Sequence, residues 1–171
     1  MTIANTESPN QQHAELDLYP VEQLVDAFVD DQVNAVNAVR ASSAALSAAI
    51  RAAVPRLAAG GRLIYVGAGT SGRLGLQDSV ELYPTFSWPP ARAIALLAGG
   101  AQAITEAVEG AEDNFDQGAA DLLAVRPQPN DVVLAIAASG RRIRSPSPAS
   151  ALPGCAGHCG AAADEITQSQ Y

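Results

Sequence analysis

The sequence predicts an α/β fold with a parallel sheet, on three observations. Short apolar runs at residues 63–66, 93–97 and 132–137 lack the polar alternation of a half-exposed strand. Helix-like segments at 73–80, 101–108 and 115–125 alternate with them, which is the pattern of a parallel sheet covered on both faces. The first apolar run leads straight into a glycine-rich turn, Gly67-Ala68-Gly69-Thr70-Ser71-Gly72, and then into Arg73 and a helix start.

Residues 1–12 are polar and read as an arm. Pro20 suits the first turn of a helix over 21–28, with Val21, Leu24, Val25 and Phe28 on one stripe. A second helical pattern covers 31–57, where Val36, Val39, Leu46, Ile50, Val54 and Leu57 recur at helical spacing. Pro55 is expected to kink it or limit its end, and Gly60-Gly61 marks the stop. Residues 1–58 therefore read as an arm with helices and 59–141 as the α/β region. From 142 to 171 the pattern is lost: Arg142-Ile143-Arg144-Ser145-Pro146-Ser147-Pro148 is basic and proline-rich, and irregular structure is expected.

Composition narrows the function. The chain has 171 residues, enough for one domain, and 48% of them are apolar. A net charge of −8 disfavours nucleic acid and anionic membrane as partners. A small phosphate remains compatible, since backbone dipoles can hold it locally. No signal peptide and no membrane-spanning run is read, so a soluble cytoplasmic protein is expected. Cys155 and Cys159 cannot define a disulfide framework. With His158 they lack the fourth protein ligand of a structural zinc, so no metal is expected.

In parallel sheets ligands bind beyond the carboxyl ends of the strands. The turn 67–72 and Ala138-Ser139-Gly140 both occupy that position, so two strand ends point at one site. Backbone N–H groups and the Thr70 and Ser71 hydroxyls suit a phosphate. The turn also matches G-x-G-x-x-G, but the second strand ends Leu96-Leu97-Ala98-Gly99-Gly100, without the acid that would hold a dinucleotide ribose. Two acidic clusters follow, Asp78 with Glu81, and Glu106, Glu109, Glu112 and Asp113. Each is either a solvated face or a source of paired carboxyls for acid and base work. Ser139 has no suitable histidine beside it and reads as a phosphate contact rather than a nucleophile.

Taken in order, residues 61–75, Asp78-Ser79-Val80-Glu81, Pro84-Thr85-Phe86, Leu97-Ala98-Gly99-Gly100, 107–113, 130–133 and 136–141 resemble the N-acetylmuramic acid 6-phosphate etherases of the sugar isomerase (SIS) superfamily. The polar start, with Thr6-Glu7, Asn10 and Glu15-Leu16-Asp17, is similar to the family's opening. The resemblance implies a SIS-type three-layer sandwich with N-terminal helices, incomplete at its C-terminus. It implies cleavage of the D-lactyl ether of the sugar phosphate by elimination and water addition, without metal or other cofactor, in a homodimer that recycles cell-wall amino sugars. Glu81 and Glu112 match the family's catalytic pair; Gly69, Thr70, Ser71, Gly72 and Ser139 match its substrate-binding positions. Glucokinase regulatory proteins share parts of these strings, which implies a non-catalytic sugar-phosphate sensor as the alternative.

Two departures stand out. Leu82-Tyr83-Pro84 replaces the family's small residue and two prolines after the first glutamate. After Ser139-Gly140-Arg141 the family continues with Thr-Pro-Tyr, whereas this chain has Arg142-Ile143-Arg144. Arg-Arg-Ile-Arg is an out-of-frame reading of Thr-Pro-Tyr-Thr codons, so a frameshift near Arg141 is expected. A chain ended in this way should have little or no activity.

Overall fold

The computed structural model describes residues 11–138. They fall into two compact units, residues 11–50 and 51–138. The first unit holds short 3-10 turns at Gln11–His13 and Leu16–Leu18, then helix α1, Val21–Ala41. Helix α2, Ser43–Ala58, runs from this unit into the second. The expected boundary near residue 30 is therefore displaced to Ser42. Val29 and Val33 continue the apolar spacing through Asp30 and Asp31, and no helix breaker intervenes. At Ser42 the backbone N–H and the hydroxyl both turn back to the Ala38 carbonyl, each at 3.1 Å, which interrupts the helix there. Pro55 lies inside α2 and does not end it; Gly60, with φ +93°, follows the helix end.

The second unit is built on strands β1, Leu63–Gly67, β2, Ala93–Leu97, and β3, Val132–Ile136, with helices α3, Gly69–Phe86, and α4, Phe115–Ala124. All three strands are parallel, in the order β2-β1-β3. The α/β reading and all three strands stand as expected. Helix α3 is longer than its expected 73–80, beginning in the glycine turn and carrying Pro84 internally. The expected helix over 101–108 is instead a 3-10 turn, Gly100–Ile104. Gly99 and Gly100 enter it with positive φ, and the segment is too short to propagate a helix by itself.

β1 is central, and its fully buried Ile64 anchors a small core with Tyr65, Leu97 and Ala103. Helix α3 packs on β1 and β2. Gly72 makes that approach possible: a Cβ there would meet the Gly67 carbonyl oxygen at 2.5 Å and collide with Leu97. The chain moves from β1 to β2 on one side and then back across β1 to β3. Right-handed crossovers put α3 and α4 on opposite faces when the direction reverses in this way. Such a reversal is a topological switch point, and the crevice opens at the carboxyl ends of the strands. β3 lies at the sheet edge, with Val133 and Leu134 partly exposed.

Candidate functional site

A cavity of about 200 Å³ opens at the carboxyl ends of β1 and β2. One wall is the start of α3, with Ala68, Gly69 and Arg73; the other is the loop after β2, with Glu106, Glu109 and Glu112. Ala103 and Val108 supply apolar lining between them.

The α3 wall is suited to an anion. Ala68 precedes the helix in extended conformation and provides no side-chain cap. The first helical bond runs from the Gly72 N–H to the Ala68 carbonyl at 3.1 Å, so the amides of Gly69, Thr70 and Ser71 precede the ladder. Those groups carry the positive end of the helix dipole. Arg73, on the same turn, adds a full positive charge. Its Nη1 donates to the Ala103 carbonyl at 2.8 Å, tying α3 to the 3-10 turn after β2. Arg73 was not singled out from the sequence; its place one residue past the glycine turn is the signal that marks it.

The opposite wall depends on Gly110, whose φ of +71° places it in the left-handed region before the 3-10 turn Ala111–Asp113. That turn carries Glu112. Asn114 then caps α4, its Oδ1 accepting from the Gln117 N–H at 3.1 Å. A second cavity of about 210 Å³ lies between this loop and the first turns of α4, lined by Glu109, Gln117 and Asp121 among others.

The predicted site residues are distributed unevenly. Gly69 and Glu112 face the same cavity. Thr70, Ser71 and Gly72 form the α3 turn between the lining residues Gly69 and Arg73, and are not themselves part of the cavity wall. Glu81 is exposed on α3, ten residues beyond Ser71, or about 15 Å along the helix, and it does not line the cavity. Ser139 lies outside the described residues, as does the tail 142–171.

Asp78, grouped with Glu81 in the sequence, has a structural partner instead. The Tyr65 hydroxyl donates to Asp78 Oδ2, linking β1 to α3. Burial, together with this carboxylate, raises the Tyr65 hydroxyl above its ordinary range.

Residues 45–153 match the family described as the glucokinase regulatory protein N-terminal SIS domain. The match takes in more than half of the chain, including every strand and the cavity. The chain belongs to that SIS family. It is also similar to curated bacterial proteins named N-acetylmuramic acid 6-phosphate etherase. The protein of Deinococcus radiodurans is 56% identical over 135 residues, which are 79% of this chain and 44% of the relative. That of Cutibacterium acnes is 48% identical over 139 residues, 81% of this chain and 46% of the relative. That of Francisella philomiragia is 44% identical over 137 residues, 80% and 47%. The chain thus spans slightly less than half the length of the curated relatives it matches. Among the described residues, no helix is long and apolar enough to cross a membrane.

Proposed function

We propose that the cavity is the sugar-phosphate site of an N-acetylmuramic acid 6-phosphate etherase. The observation that carries this reading is the polarity of the cavity: an uncapped helix start with Arg73 on one wall, and carboxyl side chains including Glu112 on the other. A ligand with a phosphate at one end and a hydroxyl-bearing body fits that asymmetry, since its anion is held away from the carboxylates. The names of the relatives supply the substrate.

In this reading the Gly69, Thr70 and Ser71 amides and the Thr70, Ser71 and Ser139 hydroxyls hold the phosphate, with Gly72 letting the turn sit close to the sheet. Glu112, facing the sugar body, takes the proton from C2 beside the open-chain aldehyde. The C–O bond to the lactyl group breaks as the C2 electrons form a double bond. A second acid protonates the departing oxygen and then activates the water that adds back. The resemblance alone suggests Glu81 for that role, since Glu81 does not line the cavity. Copies of the chain are expected to pair, in the cytoplasm, where the product would enter amino-sugar recycling. The division into 1–58, 59–141 and 142–171 belongs to the same proposal.

The test uses a chain in which residues 142–171 are replaced by the remainder of the Deinococcus radiodurans relative, since little or no activity is expected of the chain as it stands. It is incubated with N-acetylmuramic acid 6-phosphate in deuterium oxide, following D-lactate enzymatically and the C2–H signal by proton NMR. Exchange at C2 or lactate release, abolished by Glu112→Gln, supports the reading. The family match favours a second reading, a sugar-phosphate sensor, which predicts saturable binding without exchange or release. No binding at all overturns both.

A further inference from the structure

Arg73 is the single cationic side chain among the described residues that line the first cavity, set against Glu106, Glu109 and Glu112. It stands four residues after Gly69, so the two share one face of α3, and both line the cavity. Its Nη1 bond to the Ala103 carbonyl, at 2.8 Å, ties the half-buried head group to the buried Ala103 in the turn after β2. That bond uses one N–H and leaves the rest of the guanidinium fork uncommitted among the described residues. Arg73 makes no ion pair there with the facing glutamates. Glu106 is engaged instead by Gln102 Nε2, at 2.8 Å.

The substrate proposed above carries two anions, the phosphate at C6 and the carboxylate of the lactyl group on the C3 oxygen. The amides and hydroxyls of the α3 turn account for the phosphate. They leave the carboxylate without a partner. Set beside Glu109 or Glu112 with no counter-charge, it would be repelled, and more strongly than in open water because the site is partly enclosed. A guanidinium meets a carboxylate through parallel N–H donors, a charge-assisted pairing stronger than a neutral one. Ala103 lines the cavity between its two walls, so the tie draws the guanidinium from the phosphate turn towards the sugar body. An arginine already held at one corner also loses less freedom on binding.

We infer that Arg73 sets the specificity of the site by binding the lactyl carboxylate, so that the cavity prefers the ether to the same sugar phosphate with a free C3 hydroxyl. The inference rests on the sugar-phosphate reading above and adds to it the group that selects the substrate. Arg73 moves no proton and forms no covalent bond. Holding the carboxylate fixes the neighbouring ether oxygen in place while its bond to C3 breaks. The sugar phosphate left behind has no group for Arg73.

Calorimetric titration tests this on the 171-residue chain and on the chain completed with the Deinococcus radiodurans remainder, read in whichever form binds. The completed chain carries Glu112→Gln so that substrate is not consumed. The ligands are N-acetylmuramic acid 6-phosphate, its lactamide, which lacks the negative charge, and N-acetylglucosamine 6-phosphate, which lacks the lactyl group. The acid should bind about ten- to hundredfold more tightly than either of the others. Arg73→Gln keeps a donor for Ala103 without the charge, and should bring the three ligands to within about threefold of one another. Binding of N-acetylglucosamine 6-phosphate should be unchanged by it. Circular dichroism verifies that the variant is folded; if it is not, Arg73→Lys is read in its place, where the preference should fall at least about threefold. A parent chain without the preference, or a variant that keeps it in full, overturns this inference and leaves the sugar-phosphate reading standing. So does an equal loss for all the ligands in a folded variant, because the arginine then serves the phosphate. Binding of none of the ligands by either form overturns both.

Discussion

At the amino ends of β1 and β3, Arg62 and Asp131 form a closed polar clamp, whereas the carboxyl ends of β1 and β2 hold an open cavity lined with exposed carboxylates. In the clamp, Arg62 Nη2 reaches Asp131 Oδ2 at 2.6 Å, and the Arg62 and Gln128 backbone N–H groups each donate to the same carboxylate at 2.8 Å. Arg92 adds to that end, stacking 4.4 Å from the Trp88 ring and donating through Nη2 to the Gly61 carbonyl at 2.6 Å. At the cavity end, Thr70, Ser71, Glu109 and Glu112 make no comparable set of bonds. Fold-holding bonds and the proposed ligand contacts thus lie at opposite ends of one sheet, an arrangement that frees loop residues at the cavity from holding the fold.

The largest expected effects lie in the clamp and core. Ile64→Ala removes the fully buried side chain of the central strand and should cost about 2–5 kcal/mol by denaturant unfolding. Asp131→Ala should cost about 3 kcal/mol, because it leaves the Arg62 guanidinium without its carboxylate and two backbone donors without their acceptor. A loss below about 1 kcal/mol would show that the clamp is replaceable by water and weaken the contrast between the two ends.

The clamp also sets an acid limb. Burial alone would raise the Asp131 carboxyl, but hydrogen bonds from the Arg62 side chain and from the Gln128 and Arg62 backbone outweigh it and hold the group below its usual range. As pH falls, the unfolded chain therefore takes up this proton first. The stabilisation is complete above about pH 4 and declines as pH drops through the folded value. Melting temperature followed below pH 4 should fall less steeply in Asp131→Asn than in the parent chain.

Between the two ends stands the Tyr65–Asp78 bond. Tyr65→Phe should cost about 1 kcal/mol. Because the folded Tyr65 hydroxyl is raised, the unfolded chain ionises first as pH climbs, so stability is full below about pH 10 and lost above it. The substitution should flatten that alkaline limb; an unchanged limb would mean that other groups control it.

The sheet was legible because its strands are uninterrupted apolar runs bounded by glycine, proline or charged residues, and Leu63, Ala93 and Val132 begin them as read. The α1–α2 break was not, because Ser42 interrupts the helix through a local side-chain bond that leaves no gap in the hydrophobic period. The 100–108 segment misled because alanine favours helix while the glycines before it dictate a tight turn. The glycine turn was readable from its motif and the Glu112 loop from its glycine-interrupted string, and Gly69 and Glu112 line one cavity. The cavity role of Arg73 depends on its distant partner Ala103, and the structural tie of Asp78 on Tyr65, thirteen residues back. Such pairings are set by packing, which periodicity does not report.

The smallest effect on folding should come from the residue expected to matter most for chemistry. Glu112 is exposed on a 3-10 turn and makes no recorded hydrogen bond or ion pair, so Glu112→Gln should shift stability by no more than about 0.5 kcal/mol. The same change removes the carboxylate facing the cavity and should abolish C2 exchange while leaving sugar-phosphate binding intact, since the α3 turn is untouched. Gly72→Ala should do the reverse: its Cβ forces α3 away from Gly67 and Leu97, weakening phosphate binding and costing about 1–3 kcal/mol. If Glu112→Gln instead unfolds the chain, the carboxylate is part of the scaffold and the division of labour between the two ends of the sheet does not hold. If it leaves exchange unchanged, the base is another carboxylate, and Glu109, which lines both cavities, becomes the next to replace.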